Sequence, residues 1–284
     1  MKSPQKVVID LRSVFDPAQA YVMASRVQEL EQLYILEEVP EDKIYTSNMA
    51  MVELDRLISV SMNSNPTNWE RTDDERTIKV CYLNCRSLKG KFQNIECDKS
   101  LLESDVIILL ETWLEESSDI KKYSLPRFDS NMIIRGQGKG LACYYKSEFN
   151  HAQNINYEEF CITKVEHKKL DIIGVYRSQN GDLRNVLQEL QSMLDWQKTT
   201  VIGGDFNICA LTKENNFLTK SLKEMGFKQI VTQATHIQGG ALDHIYISQD
   251  YTAGFKTSLE FIPKYYSDHD SLCLAMMKSY SASR

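Results

Sequence analysis

Apolar residues fall in short continuous blocks rather than in one long stretch. Ile78–Leu83, Val106–Leu110, Leu141–Lys146, Phe160–Val165, Leu170–Val175, Thr200–Gly203, Ala241–Ile247, Phe255–Ile262 and Ser271–Met276 each run four to eight residues. That is the length of a strand buried on both faces. The period changes to helical spacing over Lys89–Leu102, Leu183–Trp196 and Asn215–Met225. Ahead of these lie strand-like Val7–Ile9 and Leu33–Leu36, and helix-like Ala18–Leu30 and Met49–Val60. Residues 65–77 are polar, carry a Pro and show no apolar period, so they read as a linker. The predicted organisation is a small α/β fragment at 1–64, the linker at 65–77, one domain at 78–278 and a tail at 279–284. Many strands with few long helices imply stacked sheets flanked by helices. No apolar run approaches the roughly 20 residues that span a bilayer, and the N-terminus lacks a secretion signal's apolar block.

Charge alters the picture once it is divided. The 284 residues hold 33 Lys+Arg and 39 Asp+Glu, a net of −6, which argues against a nucleic-acid partner. Residues 1–75 account for 7 basic and 14 acidic side chains, leaving 26 and 25 for the remainder. The acidity therefore belongs to the first quarter of the chain. Beyond it, Arg135, Lys139, Lys146, Lys164, Lys168, Lys169, Arg177 and Arg184 are available to meet a phosphate backbone. The 7 cysteines are odd in number, lack zinc spacing and mostly sit in apolar runs, so they are expected to be reduced core residues of an intracellular protein.

Candidate chemistry clusters at strand ends. Asn84 follows the first long strand, Glu111 the second, Tyr176–Arg177 a third and Asp205–Phe206–Asn207 a fourth. Asp243 opens a later strand, and Asp268–His269 precedes the last. Glu111, Asp205 and Asp268 offer the oxygen ligands that a hard divalent cation takes. His269 with Asp243 is a candidate oriented imidazole. Asn84, Asn207 and Tyr176 are neutral donors for phosphate oxygens. Such a set meets the needs of phosphodiester hydrolysis: an activated water, charge neutralisation and leaving-group stabilisation. Each element alone has a plainer explanation; Gly-Gly-Asp-Phe-Asn could be a turn whose side chains bond its own backbone.

In chain order, Leu83-Asn84-Cys85-Arg86-Ser87-Leu88, Leu110-Glu111-Thr112-Trp113, Gly174-Val175-Tyr176-Arg177, Gly204-Asp205-Phe206-Asn207, Leu242-Asp243-His244-Ile245 and Ser267-Asp268-His269 resemble the signature blocks of the endonuclease/exonuclease/phosphatase family. The nearest branch is the apurinic-endonuclease-like nuclease of LINE-type retrotransposons. The resemblance implies an α/β (α+β) fold, a four-layer sandwich of two mostly antiparallel sheets packed face to face with flanking helices. It also implies Mg²⁺ dependence, with Mn²⁺ an alternative, and cleavage of DNA. By the same resemblance, Glu111 is the main metal ligand with Asp268 a second carboxylate near it, and Asp205 aligns or deprotonates the water. His269 paired with Asp243 contacts phosphate, Tyr176 contacts phosphate or leaving group, and Asn84, Asn207 and Arg177 bind substrate. Arg86 stands where the abasic-site repair branch has an Asp, so nicking of a target strand is favoured over repair.

Residues 7–10, 19–27 and 33–36 resemble the C-terminal end of a Pif-type helicase, in which the Ser25-Arg26 pair belongs to the last motif. No Gly-x-x-x-x-Gly-Lys-Ser/Thr loop accompanies it, so no ATP binding is expected. This order of parts is that of Helentron-type Helitron transposons. A phosphatase of the same fold acting on phosphoinositide or nucleotide substrates is the alternative, as is a catalytically silent DNA-binding remnant. DNA as substrate implies a nuclear location, without a membrane association.

Overall fold

A computed structural model of the chain describes residues 7–9, 33–35, 77–211, 216–249 and 255–278. The chain divides into two compact units, Met1–Thr67 and Asn68–Arg284. In the first, β1 (Val7–Ile9) and β2 (Leu33–Ile35) pair in parallel. The helical stretches expected at 18–30 and 49–60, the linker up to residue 76 and the tail at 279–284 lie outside the described residues.

In the second unit the strands are β3 (Ile78–Asn84), β4 (Val106–Leu110), β5 (Asp129–Ile133), β6 (Leu141–Tyr145), β7 (Asn150–Asn156), β8 (Phe160–His167), β9 (Leu170–Arg177), β10 (Thr199–Asp205), β11 (Phe227–Gln229), β12 (Asp243–Ser248), β13 (Phe255–Ile262) and β14 (Ser271–Lys278). Helices are α1 (Leu88–Ile95), α2 (Lys99–Leu102), α3 (Leu183–Met193) and α4 (Asn216–Glu224), with a 3₁₀ turn at Ile120–Tyr123. Two six-stranded mixed sheets form, in the orders β13-β14-β3-β4-β6-β5 and β11-β12-β10-β9-β8-β7. Only β3–β4 and β9–β10 pair in parallel within them.

Alternation along each strand creates the layers. Val106, Ile108 and Leu110 of β4 join the core between the sheets, with Tyr82, Ile172, Val201 and Ile245. Ile107 and Leu109 face the other way, against Leu88, Ile95 and Leu101 of α1 and α2. On the far sheet Ile173 and Ile202 pack against Val186, Leu190 and Leu218 of α3 and α4. Covering both faces explains the unbroken apolar run of β4. The sheets approach closely at Gly203, where a Cβ would stand 2.6 Å from the Tyr82 ring.

Three strands departed from the apolar pattern. β5 and β7 are edge strands reading Asp-Ser-Asn-Met-Ile and Asn-His-Ala-Gln-Asn-Ile-Asn, and largely exposed edges need no apolar alternation. β11 is a three-residue edge. The helix expected over 89–102 is two helices, because Asp98 caps α2 by accepting from the Ser100 and Leu101 amides. The expectation of seven reduced cysteines is corrected: Cys81 and Cys273 form a disulfide. They face each other across antiparallel β3 and β14, with Cα atoms 4.3 Å apart. No helix among the described residues is long and apolar enough to cross a membrane.

Candidate active site

Strand direction gathers the chemistry at one end of both sheets. Parallel β3 and β4 end together, Asn84 opposite Leu110, so Glu111 emerges beside Asn84. Antiparallel β14 starts at that end, just after His269. In the other sheet Asp205 is level with Tyr176 on β9 and with Asp243 on β12.

Asn84 is wholly buried and stands between two carboxylates. Its Nδ2 donates to Glu111 Oε1 at 3.0 Å and to Asp205 Oδ2 at 2.8 Å, while its Oδ1 accepts from the Arg86 amide at 3.1 Å. Trp113 Nε1 donates to Glu111 Oε2 at 3.2 Å. Arg86, Ser87, Glu111, Trp113 and Asn207 all adopt positive φ. Left-handed backbone at non-glycine residues costs about 1–3 kcal/mol each and persists where its surroundings impose it. Here the braces are Ser87 N to Glu111 O and Leu88 N to Thr112 O.

Asp205 is also buried and accepts from the Asn207 amide at 2.8 Å. Burial raises its carboxyl well above the usual carboxylate range; the Asp243 charge adds to the rise, and His269 and the amide hydrogen bonds oppose it. His269 Nδ1 lies 2.8 Å from Asp243 Oδ2, so its Nε2 is the ring nitrogen left for the site. Burial works against a charged imidazole, but Asp243, Asp205 and Asp268 together raise it to about 9. Ligand atoms of Asp205, Asp243 and His269 lie within 4.8 Å of one another, as do those of His236, Asp268 and His269.

Two participants were missed in the sequence. Thr235 Oγ1 donates to Asp243 Oδ2 at 2.7 Å and accepts from the Leu242 and Asp243 amides. His236 has its ring 4.7 Å from that of His269. Its Nδ1 accepts from the Gln238 amide, which places the ring proton on Nε2, 3.4 Å from Asp268 Oδ2. The role of His236 depends on the turn at 235–240 folding back on the segment before the last strand, as Ile237 N to Asp268 O shows. No local motif announces that.

The expected phosphate donors are engaged within the protein. An amide nitrogen has two protons. Asn84 gives both to carboxylates; Asn207 Nδ2 gives its own to Arg177 O at 2.8 Å and Asp205 Oδ2 at 3.4 Å. Tyr176 donates to Gly138 O at 2.6 Å, and burial, then the Glu111 and Asp205 charges, raise its pKa and keep it a phenol. Arg177 is buried and bonds the carbonyls of Gly181, Phe206 and Gln179, clamping the Asp205 turn from behind. Asp268 is held by Arg86 and His236; burial opposes its charge, but Arg86 and the two histidines keep its carboxyl below the usual range.

This two-sheet sandwich, with its acidic site at one end, has relatives. The sequence matches the endonuclease/exonuclease/phosphatase family over residues 81–269, more than half of its length, and the chain belongs to that family. Among curated proteins none matches it in sequence. Its fold is similar to the endonuclease domain of TRAS1, a telomere-specific non-LTR retrotransposon, with a TM-score of 0.56 and 12% identity over 71% of this chain and 98% of that one. It is similar to an AP endonuclease from Archaeoglobus fulgidus, at 0.57 and 14% over 69% and 98%. It also resembles D. rerio TDP2 complexed with single strand DNA product, at 0.53 and 14% over 70% and 98%. At such identities the likeness is one of fold.

Proposed function

We propose that the chain is a divalent-cation-dependent phosphodiesterase acting on DNA, an endonuclease that nicks a target strand with an activated water. The observation that carries this reading is the Asn84 amide standing between Glu111 and Asp205, beside the Asp243–His269 pair. Glu111 suits a hard cation, because each of its oxygens accepts one hydrogen bond and keeps a second lone pair. Asp268 adds Oδ1, buried and without a hydrogen-bond partner among the described residues. Mg²⁺ or Mn²⁺ held there supplies charge neutralisation at phosphate oxygens. Asp205, with its raised proton affinity, aligns the water and takes its proton. His269, oriented through Nδ1 by Asp243, presents its Nε2 proton to a phosphoryl oxygen.

Residues 78–278 form the catalytic domain in this reading. Residues 1–64 are a helicase-tail-like fragment of transposon origin that binds no ATP, and the DNA substrate puts the protein in the nucleus. The test offers supercoiled plasmid and inositol phosphates side by side with Mg²⁺, with Glu111→Ala as control. Nicking that Glu111→Ala abolishes is the expected result. Phosphate release without nicking would make it a phosphatase, and DNA binding without either reaction would make it silent.

A further inference from the structure

A phosphodiester is an anion, yet the site's own cations are already engaged. Arg86 is paired with Asp268, Arg177 is held by three carbonyls, and His269 is paired with Asp243. Lys146 and Lys164 are ion-paired to Asp105 and Asp171 away from the site. The strand-end amides have no proton left to give. Positive charge for the DNA backbone beyond the scissile phosphate must come from elsewhere.

The β5–β6 connection, Ile134-Arg135-Gly136-Gln137-Gly138-Lys139-Gly140, brings two cations to the site's edge. Four hydrogen bonds staple it there: Gly136 N to Leu114 O at 2.7 Å, Trp113 N to Lys139 O at 3.0 Å, Thr112 N to Gly140 O at 3.4 Å, and Tyr176 Oη to Gly138 O at 2.6 Å. The loop is thus fixed to the segment that follows Glu111 and to Tyr176. Gly136, Gly138 and Gly140 have φ of 76°, 72° and 94°, and at Gly140 a Cβ would meet Thr112 Oγ1 at 2.6 Å. Neither Arg135 nor Lys139 has a side-chain partner among the described residues, and Arg135 Nε is buried with no acceptor. A buried guanidinium donor without an acceptor is costly and calls for one that the protein does not supply. The Arg135 charge also reaches Cys161, which sits opposite Tyr176 on β8.

Resting on the endonuclease reading above, we propose that this loop is a second anion site, in which Arg135 and Lys139 hold a DNA backbone phosphate beside the scissile one. These are binding residues, acting on affinity rather than on the chemical step.

The test measures binding of the full chain to a short duplex oligonucleotide in EDTA from about 50 to about 200 mM salt. A phosphate contact contributes about 0.9 to the slope of log affinity against log salt. We expect Arg135→Ala combined with Lys139→Ala to weaken binding and lower that slope by about 1. Arg135→Lys, which restores the charge, should recover the slope. Lys79→Ala, at the opposite end of β3 from Asn84, should leave it unchanged. A double variant with wild-type affinity and slope would overturn the proposal; if wild type still nicks and Glu111→Ala does not, the endonuclease reading survives. Wild type that neither binds duplex nor nicks plasmid would sink both.

Discussion

Replacing Asn84 by Asp probes the centre of the site with almost no change of shape. The exchange turns a donor into a carboxyl placed 3.0 Å from Glu111 Oε1 and 2.8 Å from Asp205 Oδ2. At an effective dielectric of about 20, a charge there would meet each ionised neighbour with about 5–6 kcal/mol of repulsion. The introduced carboxyl therefore stays protonated, its pKa raised far above the ordinary value of about 4. Even with a proton on Asp205, Glu111 remains at hydrogen-bond distance. A group whose folded pKa is raised contributes stability below its unfolded pKa and loses it as pH rises toward the folded one. The gap between wild type and Asn84→Asp should thus widen by about 1.4 kcal/mol per pH unit, or about 2.7 kcal/mol from pH 5 to pH 7. Urea unfolding of the full chain at those pH values measures it, with Asn84→Ala as the control that loses the hydrogen bonds without adding charge. A gap that stays constant with pH would refute the placement of Asn84 between two carboxylates.

Asp205→Ala and His269→Ala should each lower the nicking rate at least ~10²-fold, as expected for a lost base or electrostatic stabiliser; unchanged nicking in a plasmid assay would remove them from the site. Nicking that needs protonated His269 should fall as pH rises through about 9, and Asp243→Asn, which removes the largest raising influence, should move that fall to lower pH in a rate profile. Reductant should lower the melting temperature, since closing a loop of 192 residues through Cys81–Cys273 stabilises by at most about 5 kcal/mol. Cys81→Ser combined with Cys273→Ser should melt lower and ignore reductant, which calorimetry can check.

Eleven strands were legible, the buried ones because runs such as Val106–Leu110 are apolar on both faces and survive any choice of topology. The edge strands β5 and β7 were not, because a strand paired in register at an edge carries mostly polar, exposed side chains. The positions of Asn84, Glu111, Asp205, Asp243 and His269 could be named from strand ends, but their hydrogen-bond partners could not. Asn207 and Arg177 read as phosphate binders, and in the structure their donors meet neighbouring carbonyls. Thr235 and His236 carried no signal: Thr235 acts across a turn on Asp243, eight residues on, and His236 meets Asp268, 32 residues on.

By itself the sequence determined where chain could be buried and which residue types could do phosphoryl chemistry, since apolar period and side-chain functional groups are properties of local chain. Only the tertiary structure decided which donors remain for a substrate. Hydrogen bonds saturate, so each proton that Asn84 gives to Glu111 or Asp205 is withdrawn from a ligand. The cations at the site's edge that have no partner among the described residues, Arg135 and Lys139, become visible only after every other donor has been assigned.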